Sequence, residues 1–182
     1  MAGLIEIEID DREIREALSR LAAKVRNLAP AMKNIGEYLQ RSTWERFAQQ
    51  KDPSGKPWAP LKPSTLARKK TSKILIESSR LRDSIVYRAD SDQVEVGTNV
   101  EYAAIHQFGG TVQHQARNQN VHFAKKGNRV RFAKSRNATY GMKVSIGAHA
   151  TTIPARPFLG VSDEDRSEIL DIIRDHVHSG GK

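Results

Sequence analysis

Histidines, a serine–glycine–lysine run and a block of bases are the places where this 182-residue chain could do chemistry. The histidines are His106, His114, His122, His149, His176 and His178. A helical metal site needs two imidazoles one turn apart, and none of the six has an i, i+4 partner; no His-Glu-x-x-His run occurs. His176 and His178 are two apart and point in different directions on a helix. There is no cysteine, which removes thiolate metal sites, cysteine nucleophiles and disulfides together. Ser54-Gly55-Lys56 resembles the end of a phosphate loop, but Gln50 stands where the leading glycine belongs and Pro57 where the Ser/Thr belongs. No Gly-x-Ser-x-Gly elbow is present. Tyr102 and His106 are one helical turn apart, a spacing that suits a catalytic pair and equally a histidine packed at a helix–sheet junction. Paired carboxylates fall only where helix caps or turns use them. The expectation is a protein without catalysis, metal or cofactor.

Charge carries more information. The net charge is +9. Residues 1–50 net zero, 51–88 net +7, 89–101 net −4, 102–162 net +9 and 163–182 net −3. The 61 residues from 102 to 162 hold nine bases and no carboxylate. Such a block implies contact with something anionic, or with an acidic patch on a neighbour; a solvated basic loop is the plainer reading of the same charge. No apolar run approaches the ~18 residues of a membrane span, and the first residues lack the basic-then-apolar pattern of a secretory signal. The expectation is a soluble protein made in the cytoplasm, with no membrane partner.

The elements that must position these groups follow from periodicity. Leu4–Ile9 alternates apolar and acidic residues, the pattern of a half-buried strand. Asp10, three residues before Glu13, suits a helix start, and Ile14, Leu18, Leu21, Val25 and Leu28 form one stripe of a helix over 11–28. Pro30 suits the first turn of a second helix reaching Gln50, and the two can pack as an antiparallel pair. Residues 51–60 hold three prolines and a glycine and must be a loop, pinned by Trp58 and Leu61. Short helical turns are predicted at 64–70 and 78–84, a β-hairpin from 85–88 to 94–96, and a helix from Tyr102 to Gly109. Within 111–152, Val121, Phe123, Val130 and Phe132 alternate with polar residues about Lys126-Gly127-Asn128, predicting a further hairpin. That segment has too few large apolar residues for a core of its own and reads as an inserted basic arm or flexible loop. Residues 153–160 are a stiff extended run, Ser162 caps a last helix whose apolar face is Ile169, Leu170, Ile172, Ile173 and Val177, and 179–182 form a loose tail.

Three stretches together are more specific than any single motif: Gly55-Lys56-Pro57-Trp58-Ala59-Pro60-Leu61, Tyr102-Ala103-Ala104-Ile105-His106-Gln107-Phe108-Gly109-Gly110 and Ile153-Pro154-Ala155-Arg156-Pro157-Phe158-Leu159-Gly160. In this order, between an N-terminal helix pair and a C-terminal helix, they resemble the phage virion morphogenesis family, which includes the protein G type of Mu-like phages and the tail completion protein S type of P2-like phages. The resemblance covers about 20–110 and 150–178. It implies an α+β fold, helices packed on a small antiparallel sheet, in a single domain over 1–178 with 111–152 inserted. It implies a virion structural role at the head–tail junction: tail completion or termination and head–tail joining, in a homo-oligomeric ring, a hexamer favoured, around the packaged double-stranded DNA. The tail tube and head connector would be its protein partners.

The candidate contact residues are Lys125, Lys126, Arg129, Arg131, Lys134 and Arg136, facing DNA in the lumen or an acidic neighbour. The candidate structural or interface residues are Trp58, Tyr102, His106, Phe108, Arg156 and Phe158. Trp58 and Phe108 suit interface anchors and core packing alike. Arg156, held between prolines, suits a fixed salt bridge or bonds to carbonyls, with Phe158 entering the core.

Overall fold

The computed structural model describes residues 11–24, 27–127 and 129–178. The strand expected over 4–9, Asp10, Val25 and the tail over 179–182 lie outside the described residues. The fold is α+β, and the chain forms two compact units: a first unit of residues up to Gly109 and from Pro154 onward, and a second unit, Gly110–Ile153.

In the first unit Asp11 opens α1 (Arg12–Lys24), its carboxylate accepting the amides of Glu13 at 3.1 Å and Ile14 at 3.3 Å. The cap therefore sits one residue after the Asp10 that the sequence suggests. The Arg166 guanidinium beside Asp11 holds that carboxyl below its usual range. α2 (Ala29–Gln49) carries Pro30 in its first turn, where the missing amide costs nothing, and ends at Gln50 with φ 58°. The helix expected over 64–70 shrinks to α3 (Pro63–Leu66), because Lys69 and the Lys70 amide turn away to Glu77, at 2.9 and 3.1 Å. After α4 (Arg80–Asp83) come β1 (Val86–Ala89) and β2 (Val94–Gly97), an antiparallel hairpin in which Tyr87 faces Val96. α5 (Ala103–Phe108) stops at Gly109, whose φ of 74° favours glycine. α6 (Asp163–His178) begins with a reciprocal cap: the Asp165 amide donates to Ser162 Oγ at 3.0 Å and the Ser162 amide to the Asp165 carboxylate at 2.7 Å.

Two apolar clusters fill this unit. One joins Phe47, Trp58, Leu81, Ile85, Val100, Ala103, Phe158 and Leu159. The other joins Ala31 and Ile35 of α2 to Ile169 and Ile173 of α6, with Ile14 and Leu18 of α1 packed against them. The expected pairing of α1 with α2 gives way to packing of both on α6, whose Ile169 and Ile173 are buried among Ala31 and Ile35 of α2. α2 also packs on the β1–β2 hairpin. Gly36 permits that approach, because a Cβ there would lie 2.3 Å from the Tyr87 ring.

Among its described residues the second unit consists of five strands, short connections and one 3₁₀ turn. β3 (Gly110–His114) pairs antiparallel with β7 (His149–Ile153). β4 (Arg117–Lys126) is the centre of a three-stranded antiparallel sheet, with β5 (Arg129–Phe132) on one side, β6 (Tyr140–Ile146) on the other, and a 3₁₀ turn at Ser135–Asn137 between those two. The expected hairpin is β4–β5, with Phe123 facing Phe132 and Gly127 turning at φ 60°. β3, β6 and β7 go beyond it. None of the described residues in this unit is buried.

Candidate functional site

The three family-like stretches converge in the first unit. The Trp58 indole donates to the Pro157 carbonyl at 2.7 Å. Arg156 donates from Nε to the Ala59 carbonyl at 2.8 Å and from its terminal nitrogen to the Pro60 carbonyl at 3.2 Å, while its amide donates to the His106 carbonyl at 2.7 Å. The Gln107 side chain closes the knot: its Oε1 accepts the amides of Phe158 (2.9 Å) and Leu159 (3.0 Å), and its Nε2 donates to the Leu159 carbonyl (2.9 Å). Prolines at 154 and 157 leave this run without a partner strand, so side chains take over its backbone bonding. Trp58 and Phe158 are buried, both ringed on Phe47 at 5.4 and 5.2 Å.

A buried ion pair fixes the same segment from below. Arg46 of α2 donates to the carbonyls of Phe158 (3.1 Å) and Gly160 (2.8 Å) and pairs with Asp165 of α6. Asp165 also accepts the Ser42 hydroxyl. Burial pushes the Asp165 carboxyl up, but the bonds from Ser42 and Ser162 and the charge of Arg46 outweigh it, and the net direction is down. Burial lowers the Arg46 guanidinium. Isolated charges would not survive there; each needs the other and its hydrogen bonds.

Tyr102, His106 and Phe108 part company. Phe108 is 63% exposed and Tyr102 41% exposed, whereas His106 is half-buried with its ring edge-on to Tyr102 at 5.9 Å. Burial, helped by the Arg156 charge, lowers the His106 imidazole, and its Nδ1 is buried without a hydrogen-bond partner among the described residues. Its surroundings are therefore the Tyr102 ring on one side and the Arg156 charge nearby, with burial disfavouring its charged form. The Ser54-Gly55-Lys56 turn is closed on itself. The Asp52 carboxylate accepts the amides of Ser54 and Lys56, each at 2.9 Å, and the Ser54 hydroxyl at 2.7 Å, where a phosphate would need those donors. Among the described residues no group of three or more His, Cys, Asp or Glu side chains is placed to hold a metal. No helix among them is long and apolar enough to cross a membrane.

The six candidate bases are all exposed, but the second unit does not bring them to one place. Partners across a ladder share a face. Lys126, Arg129 and Arg131 therefore lie on one face of the three-stranded sheet with His122 and Lys143. Lys125 lies on the other face, Lys134 sits just before the 3₁₀ turn and Arg136 within it. Opposite the basic face is an apolar one: Tyr140, Phe123 and Phe132 in one row, ring centroids 5.5 and 5.1 Å apart, flanked by Val121, Met142 and Val130. Phe132 is 81% exposed and Met142 53%.

Sequence reasoning passed over Arg46, Gln107, Asp165 and Lys143. Arg46 falls on the core-facing side of α2 with Ile35, Leu39 and Thr43, a placement that the helical period shows. Gln107 and Asp165 gave no such signal, because amides and carboxylates at helix ends are ordinarily solvated.

What the described residues of the two units present is a set of buried hydrogen-bonded ties in the first and exposed basic and apolar faces in the second. The chain belongs to the phage virion morphogenesis family, whose model matches residues 9–178. It is 33% identical over 175 residues to the Mu-like prophage FluMu G protein 2 of Haemophilus influenzae, covering 95% of this chain and 96% of that one. It is 28% identical over 179 residues to the putative capsid assembly protein G of Escherichia phage Mu, covering 95% and 94%. No solved structure gives a significant match. The protein is thus a member of a family of phage virion morphogenesis proteins.

Proposed function

We propose that this protein completes or terminates the tail of a tailed phage and joins it to the head, at the head–tail junction, as a homo-oligomeric ring around the DNA passage. The observation that carries the assembly role is the second unit. Its 44 residues hold eight bases, no carboxylate and, among those described, no buried residue. Such a segment gains little from its own packing and has its surfaces available for others. A ring subunit needs two different complementary faces, one for each neighbour. In the first unit Asp90, Asp92, Glu95, Glu101 and the carboxylates along α6 supply acidic surface and residues 51–88 supply basic charge; the second unit supplies basic surface of its own. Sixfold symmetry matches a tail tube. Basic groups that face the lumen would bind phosphates without reading sequence, and so would weaken with salt.

A head-side connector is the second reading, favoured by the name of the phage Mu relative, a putative capsid assembly protein. Electron microscopy of lysates lacking this gene separates the two. Full heads beside separate tails of irregular length support tail termination. Separate heads beside well-finished tails of uniform length support the head-side role. Intact infectious particles remove both and leave a nucleic-acid-binding module, which predicts affinity for free DNA with a steep salt slope.

A further inference from the structure

We infer that one face of the three-stranded sheet, the basic one, is the seat of the phosphate backbone of duplex DNA. The inference rests on the DNA passage of the reading above and names the surface and the four cations that meet it.

The second unit holds eight bases, and strand register divides them. Lys126 faces Arg129 across one ladder, Arg131 faces Ala124, and Lys143 faces Asn120 across the other ladder, so these four cations share a face. Arg117 and Lys125 lie on the opposite face, and Lys134 and Arg136 lie outside the sheet. The four are exposed, and among the described residues none of their side chains has a hydrogen bond or an ion pair. In the first unit Arg46 and Arg156 donate to carbonyls of their own chain. Here the donors point to no partner in the chain, and the unit contains no carboxylate to compete for them.

The rest of the face selects among anions. Beside the cations stand Asn118, Asn120 and Ser145, and the centre is Ala124 and Gly141 about His122. A protein partner would need an apolar centre with little charge, and that lies across the sheet, in Phe123, Phe132 and Tyr140. A protein–DNA interface is polar and basic instead. A single strand would stack its bases on aromatic rings, and those same three rings are on the far face. A duplex offers phosphates and keeps its bases stacked within. Lys126 and Asn120, the partners of Arg129 and Lys143, are six positions apart on β4, about 20 Å of strand. About six base pairs of duplex span that length. Ala124 and Gly141 leave the centre low, so a phosphate can sit between the longer side chains. Such contacts hold the duplex without reading its sequence.

The test titrates a short fluorescent duplex of mixed sequence with full-length protein, read by anisotropy over a range of salt. Two variants remove the same number of charges. One is Lys126→Gln/Arg129→Gln/Arg131→Gln/Lys143→Gln, on the face; the other is Arg117→Gln/Lys125→Gln/Lys134→Gln/Arg136→Gln, elsewhere in the unit. The face variant should bind at least about tenfold more weakly at low salt, and its slope of log K against log salt should shrink by about 3–4. The other variant should keep its slope to within about one. Lys143→Gln alone should lower the slope by about one, and Lys125→Gln, though adjacent to Lys126 in sequence, should leave it unchanged. These single changes at exposed residues keep the test decisive if a fourfold variant folds poorly. Equal losses in the two fourfold variants overturn the face and leave the ring standing. A duplex that does not bind at low salt also overturns it. A single strand of the same length that binds more tightly than the duplex assigns the contact to the aromatic face and overturns it as well. Intact infectious particles from a phage lacking this gene overturn the ring reading and its DNA passage, an outcome read apart from the titration.

Discussion

The two units of this chain solve opposite problems. The first gathers segments far apart in sequence, 46, 58, 107, 156 and 165, and locks them with buried polar groups and two apolar clusters. The second is held by ladder hydrogen bonds within two small sheets and buries none of its described residues. Polar atoms in the first unit are spent inward: Arg46, Gln107 and Arg156 donate to carbonyls of their own chain. Charged atoms in the second face outward. The lesson is that the same residue type, arginine, is a structural tie in one unit and an exposed cation in the other, and burial separates the two. Arg156 is 5% exposed, whereas Arg129 and Arg131 are exposed.

Substitutions that break this contrast follow in order of expected size. Asp165→Ala leaves the Arg46 charge buried and unpaired, and should cost about 3–5 kcal/mol in urea unfolding. Phe158→Ala empties a fully buried ring site and should cost about 3–5 kcal/mol by the same measurement. Acid should act on the first unit through Asp165. Its folded carboxyl is depressed, so its contribution is full above the unfolded value of about 3.9 and lost as pH falls through the folded one. The unfolding midpoint should therefore hold from neutral pH to about 5 and fall below about 4, with a shallower fall in Asp165→Asn. Arg156→Met strands the Ala59 and Pro60 carbonyls and should cost about 1–3 kcal/mol. At the small end, Lys126→Gln, Arg129→Gln and Arg131→Gln should each shift stability by under about 0.5 kcal/mol while weakening attachment to an anionic partner.

Much of the first unit was legible because its signals are local. The stripe of Ile14 and Leu18, the proline at 30, the Ser162 cap and the glycine at 109 each act within a turn or two. What escaped was set by distance. The early end of α3 depends on Glu77, and α1 chose α6 because of isoleucines some 150 residues away. In the second unit, β6 does alternate, Tyr140, Met142, Val144, Ile146, but Gly141 and the small Ser145 between them weaken the pattern. β3 and β7 are exposed almost throughout, so neither has an apolar period to find. The grouping of Lys125, Lys126, Arg129, Arg131, Lys134 and Arg136 as one set came from their closeness in sequence. Strand alternation then divides them between faces, and only the ladder register shows that Lys143 joins Arg129 and Arg131.

The central claim is that the first unit keeps the fold while the second makes the assembly. Phe132→Asp tests it most directly, because it places a carboxylate at the β5 end of the exposed apolar row, at a residue that is itself 81% exposed. The measurement is a count of joined particles, by electron microscopy, in lysates of a gene-deleted phage supplied with the Phe132→Asp protein. The account predicts heads and tails left unjoined by a protein whose thermal unfolding is unchanged. Joined particles at the normal frequency, from an equally stable protein, would contradict it.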